Sequence, residues 1–397
     1  MRASRTFVCS ALAGLAIAAP AFAQWTQEHQ VYQIHRLGFF GADHTSPTGY
    51  QDSGALNINT SGWASGVAAR YRADGTSGGR DSWLFDGVGT RPIGPSGVGY
   101  VSTTGYRYST PKYLNDAGQV AGSCNRYDAM GNYVGLTTWV FDGVSSFEVG
   151  LLGGVYTSED GAIRNEIDAF NNAGQAAGHS LRYGPDIYLG QDAWLWTGTT
   201  NRLIGFTSAP YTAASGYRES QVYALNDSGL ALGSSQRYYA GTSTYAGEDC
   251  WIANGMITRR LGFIGTGYET DDGFRISAAY YLNAAGDVLG FSARYSGDVR
   301  TGQDPWLFDG VNTRVLGLTG TDYVTSSGAR SSSADHLNDA GQVAGVTTRF
   351  ASDVSIGRDS WFFDGATTRQ IGLIGGPYTA TTGARLSNPA FITPGGL

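Results

Sequence analysis

Short runs of alternating apolar and polar residues, separated by glycine-rich turns, recur along the chain. Between residues 333 and 373 the pattern predicts strands at 333–337, 342–350, 359–363 and 369–373. Asn338-Asp339-Ala340-Gly341 and Asp364-Gly365 lie between them, residue types that favour tight turns and positive φ. Since no segment sustains a 3.6-residue apolar period, we predict four strands per unit and almost no helix.

Four sequence markers repeat with a common interval of 55 to 57 residues. One is the phrase Asn-x-x-Gly-x-x-x-Gly, which begins at Asn59, Asn115, Asn171, Asn226, Asn283 and Asn338. The others are a Trp that opens an apolar run, an Arg followed by an aromatic residue, and an apolar residue followed by Gly. One period shared by four markers predicts six tandem units.

We therefore expect an all-β fold, a β-propeller of six four-stranded blades with an incomplete seventh. A unit of about 56 residues cannot bury both faces of its own sheet and must stack on its neighbours. One Trp per unit would fill the space between adjacent sheets. A parallel β-helix is disfavoured because its rungs are shorter, and tandem sandwiches because each needs roughly 100 residues.

Closure of the ring is predicted from two additional strands at the ends of the repeats. Residues 31–40 match a fourth strand and residues 385–392 match a first strand. We expect the two to pair as the incomplete seventh blade, which would hide two sheet edges. The alternatives are that they cap a six-bladed ring or an open array.

The first 23 residues have the features of a secretory signal peptide. Arg2 and Arg5 precede an apolar run over residues 8–19, and Ala21-Phe22-Ala23 supplies a cleavage pattern. We predict a signal over 1–23 and one secreted repeat domain over 24–397, extracellular or periplasmic. The apolar run is too short to anchor the chain, and no later run approaches 18 residues, so we expect no membrane span.

Charge and cysteine content limit the classes of partner. The chain has 26 Lys and Arg against 33 Asp and Glu, a net charge of −7 that loss of Arg2 and Arg5 changes to −9. An acidic chain without a basic stripe argues against nucleic acid and anionic membranes as partners. Cys124 and Cys250 lie at different slots two units apart, so we expect free, buried thiols. We also expect a monomer.

Two segments, 114–122 and 337–345, share the sequence Leu-Asn-Asp-Ala-Gly-Gln-Val-Ala-Gly. They resemble the HAF-repeat family of probable extracellular repeats, in which I-N-x-x-G-Q-V-V-G is followed by H-A-F-L-W and L-G-x-L-G-G. Residues 371–376 match that ending, whereas Asp359-Ser360-Trp361 departs from H-A-F. The resemblance covers roughly residues 31–397. It implies an extracellular or cell-surface protein of unassigned function and brings no catalytic residues.

A tyrosine recurs in the loop that leads from one unit to the next, and His44 takes the leading slot. The tyrosines are Tyr100, Tyr156, Tyr211, Tyr268, Tyr323 and Tyr378. If they line one rim of a propeller, they suit stacking on a glycan or contact with a protein at the cell surface. The alternative is that each ring packs between blades.

Two of the same loops carry acidic pairs, Glu159-Asp160 and Asp271-Asp272, each followed by an equivalent glycine. Several carboxylate oxygens suit Ca²⁺, and two carboxylates suit acid–base chemistry on a glycan. The alternative is a solvated acidic loop. We predict no catalytic residues and no cofactor beyond this possible calcium.

Recurring charged residues favour a scaffold role. An Arg ends strand 2 and an Asp opens strand 3, so the two are expected to pair across the hairpin. A second Arg precedes strand 1, at Arg107, Arg164, Arg218, Arg275, Arg330 and Arg385. We predict a secreted, non-enzymatic binding or surface-interaction module. The alternatives are an extracellular polysaccharide hydrolase or lyase using the acidic loops, and a structural cell-surface repeat protein.

Overall fold

The computed structural model describes residues 34–185 and 187–393. The predicted signal at 1–23 therefore lies outside the described residues. Within them the chain is all-β, as predicted, and its helical content is four three-residue 3₁₀ turns at Ala42–His44, Gly154–Tyr156, Thr321–Tyr323 and Gly376–Tyr378.

Six units of four strands follow one another, and a short strand opens a further unit. Units 1 to 3 contain β1 (Ser53–Ile58), β2 (Ala64–Tyr71), β3 (Ser77–Phe85), β4 (Thr90–Ile93), β5 (Arg107–Leu114), β6 (Val120–Tyr127), β7 (Tyr133–Phe141), β8 (Ser146–Val149), β9 (Ile163–Phe170), β10 (Ala176–Gly184), β11 (Ile187–Trp196) and β12 (Asn201–Leu203). Units 4 to 6 contain β13 (Arg218–Leu225), β14 (Ala231–Tyr238), β15 (Tyr245–Ala253), β16 (Thr258–Arg260), β17 (Arg275–Leu282), β18 (Val288–Ser296), β19 (Val299–Phe308), β20 (Thr313–Val315), β21 (Arg330–Leu337), β22 (Val343–Ala351), β23 (Val354–Phe363) and β24 (Thr368–Ile371), and β25 (Arg385–Leu386) follows.

The four strands of a unit form an antiparallel meander, and the Asn-x-x-Gly phrase makes its first turn. In unit 3, β9 pairs with β10, β10 with β11 and β11 with β12. Oδ1 of Asn171 accepts hydrogen bonds from the backbone N–H groups of Ala173 and Gln175, at 3.1 and 2.8 Å. A side-chain acceptor that satisfies turn donors is the reason why Asn is favoured at this position.

Consecutive units are joined by backbone pairing, and this finding overturns the predicted β-propeller. The third strand of each unit pairs in parallel with the first strand of the next, as at Gly190↔Arg218 and Gly247↔Arg275. All twenty-five strands of the described part of the chain consequently belong to one continuous sheet. A propeller has separate blades, so the propeller prediction is wrong, and the fold is a β-solenoid of stacked coils.

A ladder of asparagine side chains stacks each coil on the next. Nδ2 of Asn59 donates to the backbone carbonyl of Asn115 at 2.9 Å, and Nδ2 of Asn115 donates to that of Asn171 at 3.1 Å. The same bond recurs at Asn171, Asn226, Asn283 and Asn338. The invariant Asn of the repeat therefore caps its own turn and also bonds the next unit.

The predicted pairing of the two ends does not form among the described residues. Residues 34–40 contain no strand. The C-terminal strand β25 pairs instead in parallel with β23, through Gly357↔Arg385 and Arg358↔Leu386. Residues 31–33 of the predicted N-terminal strand lie outside the part of the chain that the structure describes.

The hydrophobic core lies between consecutive units, and its largest members are six fully buried tryptophans, Trp83, Trp139, Trp194, Trp251, Trp306 and Trp361. In one such layer Trp251 of unit 4 packs with Ala177 and Leu195 of unit 3. A Cβ on Gly233 would collide with the Trp251 ring and with the carbonyl oxygen of Gln221. The second Gly of the repeat phrase is therefore required because it makes room for the Trp.

Both cysteines of the described chain are buried and unpaired, as expected. Burial raises the pKa of the Cys250 thiol to about 12, so the thiol stays protonated at neutral pH. Among the described residues, no helix has the length and apolar character needed to cross a membrane.

Candidate functional site

Five units bury an aspartate in the third strand, at Asp81, Asp192, Asp249, Asp304 and Asp359. In unit 3, Asp192 accepts hydrogen bonds from Nε and Nη2 of Arg218, each at 2.5 Å. Nε of Arg182 lies 3.2 Å from the same carboxylate, which confirms the predicted pairing across the hairpin. Because Arg218 opens unit 4, its two-pronged bond fixes one unit against the next.

Unit 2 is built differently at this position. Thr137 replaces the aspartate, and the register Gly135↔Ile163 corresponds to Gly190↔Arg218, so Ile163 replaces the Arg that opens the next unit. The sequence-based assignment of Arg164 to this slot is therefore wrong. Arg164 is exposed, and its Nη2 lies 2.7 Å from Glu166.

The tyrosines predicted to contact a ligand lie beside these buried carboxylates. In units 3 to 6 the tyrosine hydroxyl donates a hydrogen bond to the buried aspartate. These bonds run from Tyr156 to Asp192 at 2.8 Å, Tyr211 to Asp249 at 2.6 Å, Tyr268 to Asp304 at 2.7 Å and Tyr323 to Asp359 at 2.7 Å. Tyr100 donates to Glu148 at 2.8 Å, and Tyr378 is 55% exposed. Ligand contact by the six tyrosines stays a prediction, and five of their hydroxyls already have partners within the chain.

The tyrosine hydroxyls in these clusters are firmly protonated. Burial raises the pKa of Tyr211 to about 12, and the charge of Asp249 adds to the effect. Tyr268 and Tyr323 have pKa values raised to about 12, again through burial and a bonded aspartate. They therefore act as donors at neutral pH. In the leading slot, Nε2 of His44 lies 3.0 Å from Asp81.

The predicted acidic pairs, Glu159-Asp160 and Asp271-Asp272, lie in exposed loops that lead into units 3 and 5. Asp160 accepts a hydrogen bond from Ser158, and Asp272 accepts from Thr270 and from the hydroxyl of Tyr239. These bonds lower the pKa of both carboxyls. Among the described residues no group of three His, Cys, Asp or Glu side chains is placed to hold a metal ion.

A second set of tyrosines is exposed at equivalent positions of three consecutive units. Tyr133, Tyr188 and Tyr245 lie at the start of the third strand in units 2, 3 and 4, and they are 60%, 45% and 42% exposed. We call these three residues the tyrosine row. Each lies two residues before a positive-φ glycine such as Gly247, where a Cβ would collide with the Arg275 carbonyl of the next unit.

Each member of the tyrosine row is held by the edge of a neighbouring aromatic ring. Ring centroids are 6.2 Å apart for Tyr133 and Tyr127, 6.0 Å for Tyr188 and Tyr217, and 5.9 Å for Tyr245 and Phe274. The interplanar angles of 72° to 80° are the favourable edge-to-face arrangement. The row therefore presents neutral rings of fixed orientation, one per unit.

The sequence signal for this row is a residue type shared by three consecutive units and not by all six. Units 1, 5 and 6 have Ser77, Arg300 and Ser355 in place of the tyrosine. A slot occupied by tyrosine in consecutive units, rather than in all of them, indicates a local surface rather than scaffold.

The turns that contain the asparagine ladder surround a separate concavity. A cavity of about 650 Å³ is lined by equivalent residues of units 1 to 5, from Ile58 and Leu114 to Leu282. Side chains of the ladder are already bonded to the next unit, as Asn115 is to Asn171. The cavity combines apolar side chains with polar ones outside the ladder, such as Asp227.

Solved structures similar to this chain include several β-rich proteins. They are the β-propeller domain of the trilobed protease from Pyrococcus furiosus (10% identity, 80% of this chain and 95% of that chain, TM-score 0.28), the Aleuria aurantia lectin (10%, 81% and 94%, TM-score 0.25) and the Trypanosoma rangeli sialidase (10%, 79% and 54%, TM-score 0.26). At these scores the likeness specifies neither fold nor function.

No curated protein sequence matches the chain. One family does match, over residues 169–368, which is half of the chain and spans the last copies of the repeat. The matched segment includes the interfaces between units 3 and 4, 4 and 5, and 5 and 6. The chain thus belongs to the family described as "Protein of unknown function (DUF3466)".

Proposed function

We propose that this chain is a secreted, non-enzymatic binding module whose contact surface is the tyrosine row. One observation carries the proposal: the same side chain is exposed at the same slot of three consecutive units, and an aromatic neighbour fixes each ring. Aromatic rings held in this way contribute contact area at a low cost in side-chain entropy.

A ligand that itself repeats suits a row that repeats once per unit. Ring faces stack on sugars, and several weak contacts along one polymer add up to a tight attachment. The chain carries a net charge of −7, which disfavours an anionic polymer. We therefore propose a neutral, extended glycan at a cell surface as the ligand.

We also propose that the chain acts outside the cytoplasm. The predicted signal at 1–23 would deliver residues 24–397 to the periplasm or the outside of the cell, where such a glycan is accessible. The resemblance to HAF-repeat proteins agrees with that location and stays a prediction.

Binding of the mature chain, residues 24–397, to a panel of neutral polysaccharides tests the proposal. The variant Y133A/Y188A/Y245A should lose at least about tenfold in affinity, since each ring contributes on the order of 1 kcal/mol. The matched control is V144S/M256S/V311S, which changes three exposed side chains in the turns that follow the third strands of units 2, 4 and 5. Circular dichroism should show both variants folded.

Two results would overturn the proposal. One is glycan binding that the tyrosine variant leaves intact, or that the control variant weakens equally. The other is release of new reducing or unsaturated chain ends from the glycan, which would instead support a hydrolase or lyase that uses Glu159, Asp160, Asp271 or Asp272.

A further inference from the structure

A cleft of about 330 Å³ lies on the exposed face of unit 1, where that unit meets the first strand of unit 2. Its walls are Asp52 and Arg80 from unit 1 and Tyr106 and Tyr108 from unit 2. Its volume is at the lower end of the range for small-molecule sites. The lining also includes Ser77, which holds the slot of the tyrosine row in unit 1, but it contains none of the three tyrosines of that row.

The floor of the cleft in unit 1 is formed by small side chains. Gly54 and Ala69 lie there. The same slots, counted from the repeat asparagine, hold Glu166 and Leu181 in unit 3 and Gln221 and Gln236 in unit 4. Space around Gly54 is open, since a Cβ placed there would meet no atom within 4 Å. Larger side chains thus fill these slots in units 3 and 4, whereas unit 5 has two alanines there and differs instead by Phe291 at the slot of the lining residue Val67.

Two opposite charges face this cleft without a partner among the described residues. The guanidinium carbon of Arg80 lies 4.0 Å from the centroid of the Tyr108 ring, and no described hydrogen bond or ion pair involves its N–H groups. The Asp52 carboxylate is likewise without such a bond, while its backbone carbonyl accepts the N–H of Ala69 at 2.9 Å. No guanidinium nitrogen of Arg80 lies within 4.0 Å of the Asp52 carboxylate, so these two side chains form no direct ion pair with each other.

The contact with Tyr108 holds the Arg80 guanidinium over the ring and leaves its N–H groups for a ligand. A guanidinium edge binds a carboxylate with two parallel hydrogen bonds, and a carboxylate such as Asp52 accepts hydrogen bonds from an ammonium group. A ligand that carries both charges would satisfy both walls, whereas a singly charged ligand would leave one of them unpaired.

We propose that this cleft binds a small zwitterion, a free α-amino acid. Its carboxylate pairs with Arg80, its ammonium group pairs with Asp52, and its side chain lies over the floor of Gly54 and Ala69. Tyr106 closes the remaining wall. The site does not depend on the proposed glycan surface, because it uses other residues and another ligand.

Calorimetric titration of the mature chain with each free L-amino acid tests this site. We expect saturable binding of at least one of them, weakened at least about tenfold by R80Q and by D52N, since each removes charge-assisted hydrogen bonds. The variants G54Q and A69Q install the glutamines of unit 4 on the floor and should abolish binding without unfolding the chain. R358Q is the matched control, because Arg358 holds the slot of Arg80 in unit 6, where Leu386 replaces Tyr108.

Three outcomes would overturn the inference. The first is that no amino acid binds at millimolar concentration. The second is that R80Q and G54Q bind as the parent chain does, or that R358Q weakens binding equally. The third is that an uncharged monosaccharide binds in the cleft and amino acids do not. None of these results depends on whether the tyrosine row binds a glycan.

Discussion

The interface that follows unit 2 and the interface that follows unit 3 solve the same packing problem in different ways. After unit 3, Asp192 is 1% exposed and accepts two hydrogen bonds from Arg218 of the next unit. After unit 2, Thr137 and Ile163 occupy the two positions, and both are buried. The carboxylate and its arginine are absent together, so no unpaired charge is left inside.

The difference shows which part of the network is required. Replacing a buried ion pair by uncharged side chains of suitable shape costs little, whereas removing one partner leaves a charge buried without compensation. The remaining members in unit 2 find another carboxylate: Tyr100 donates to Glu148 at 2.8 Å, and Nε of Arg126 lies 3.7 Å from it. The aspartate and its arginine can therefore be replaced together, while Tyr100, like the tyrosines of units 3 to 6, keeps a carboxylate acceptor.

The largest effect should come from removing one charge at the unit 3 interface. Asp192→Asn leaves Arg218 and Arg182 without a carboxylate, and a broken buried pair costs about 3–5 kcal/mol. At the same position of unit 2, Thr137→Val removes one hydroxyl that accepts a 3.4 Å bond from Asn165, and should cost at most about 1 kcal/mol. Urea unfolding of both variants measures the difference. Equal losses would contradict the distinction between the two interfaces.

Introducing the aspartate and the arginine into unit 2 tests whether each of these charges needs the other. Thr137→Asp alone buries an unpaired carboxylate, and Ile163→Arg alone buries an unpaired guanidinium, so each should destabilise the chain by roughly 3 kcal/mol. The double variant rebuilds the arrangement of Asp192 and Arg218 and should recover most of the loss. A double-mutant cycle should give a coupling of about 1.5–3 kcal/mol, and strictly additive losses would show that the backbone of unit 2 cannot hold the pair.

The sequence predicted the unit and its strands well, and the reason lies in short-range chemistry. The 55-to-57-residue period, the turn at Asn171 and the buried Trp194 are all specified by residues close in the chain. The pairing of one unit with the next is not specified by residues close in the chain. It rests on two residues per strand, such as Gly190↔Arg218. Nothing in an alternation pattern distinguishes that contact from the gap between propeller blades, so the all-β prediction held and the propeller did not.

The positions of individual residues on the candidate functional surfaces were also beyond what sequence patterns could predict. Arg164 matches the residue type of the repeated slot, but hydrogen-bond register places Ile163 there. The tyrosine row and the cleft at Arg80 belong to some units and not to others, so the residues that all units share do not reveal them. Only the three-dimensional structure shows which tyrosines bond their hydroxyls within the chain, as Tyr211 does with Asp249.

Acid should weaken the interfaces that contain an aspartate more than the one that lacks it. Burial by itself would raise the pKa of Asp304, but hydrogen bonds from Arg330, Tyr268 and Arg294 outweigh it and the pKa is lowered. Arg385 and Tyr323 lower the pKa of Asp359 in the same way. A depressed pKa gives stability that is fully present above the unfolded value of about 4 and is lost as the pH falls through the folded value.

Thermal unfolding between pH 7 and pH 2 measures this loss. The parent chain should keep a constant midpoint down to about pH 4 and then lose stability. Asp304→Asn should start from a lower midpoint and show a shallower fall, because one of the titrating groups is gone. A fall of identical steepness in both proteins would show that the acid sensitivity arises elsewhere in the chain.

The smallest effects should come from removing single tyrosine hydroxyls, and their order follows the exposure of the acceptor. Tyr156→Phe takes a donor from Asp192, which is almost completely buried, so no water replaces it and the loss should be about 1–2 kcal/mol. Tyr100→Phe takes a donor from Glu148, whose side chain is 18% exposed, so water can compensate in part and the loss should be nearer 0.5 kcal/mol. Tyr378→Phe, on an exposed ring, should leave the unfolding midpoint unchanged. The three variants also distinguish a structural role of a tyrosine from contact with a ligand. A variant that changes glycan affinity and leaves the unfolding midpoint unchanged, at Tyr378 above all, would show that this tyrosine contacts the glycan.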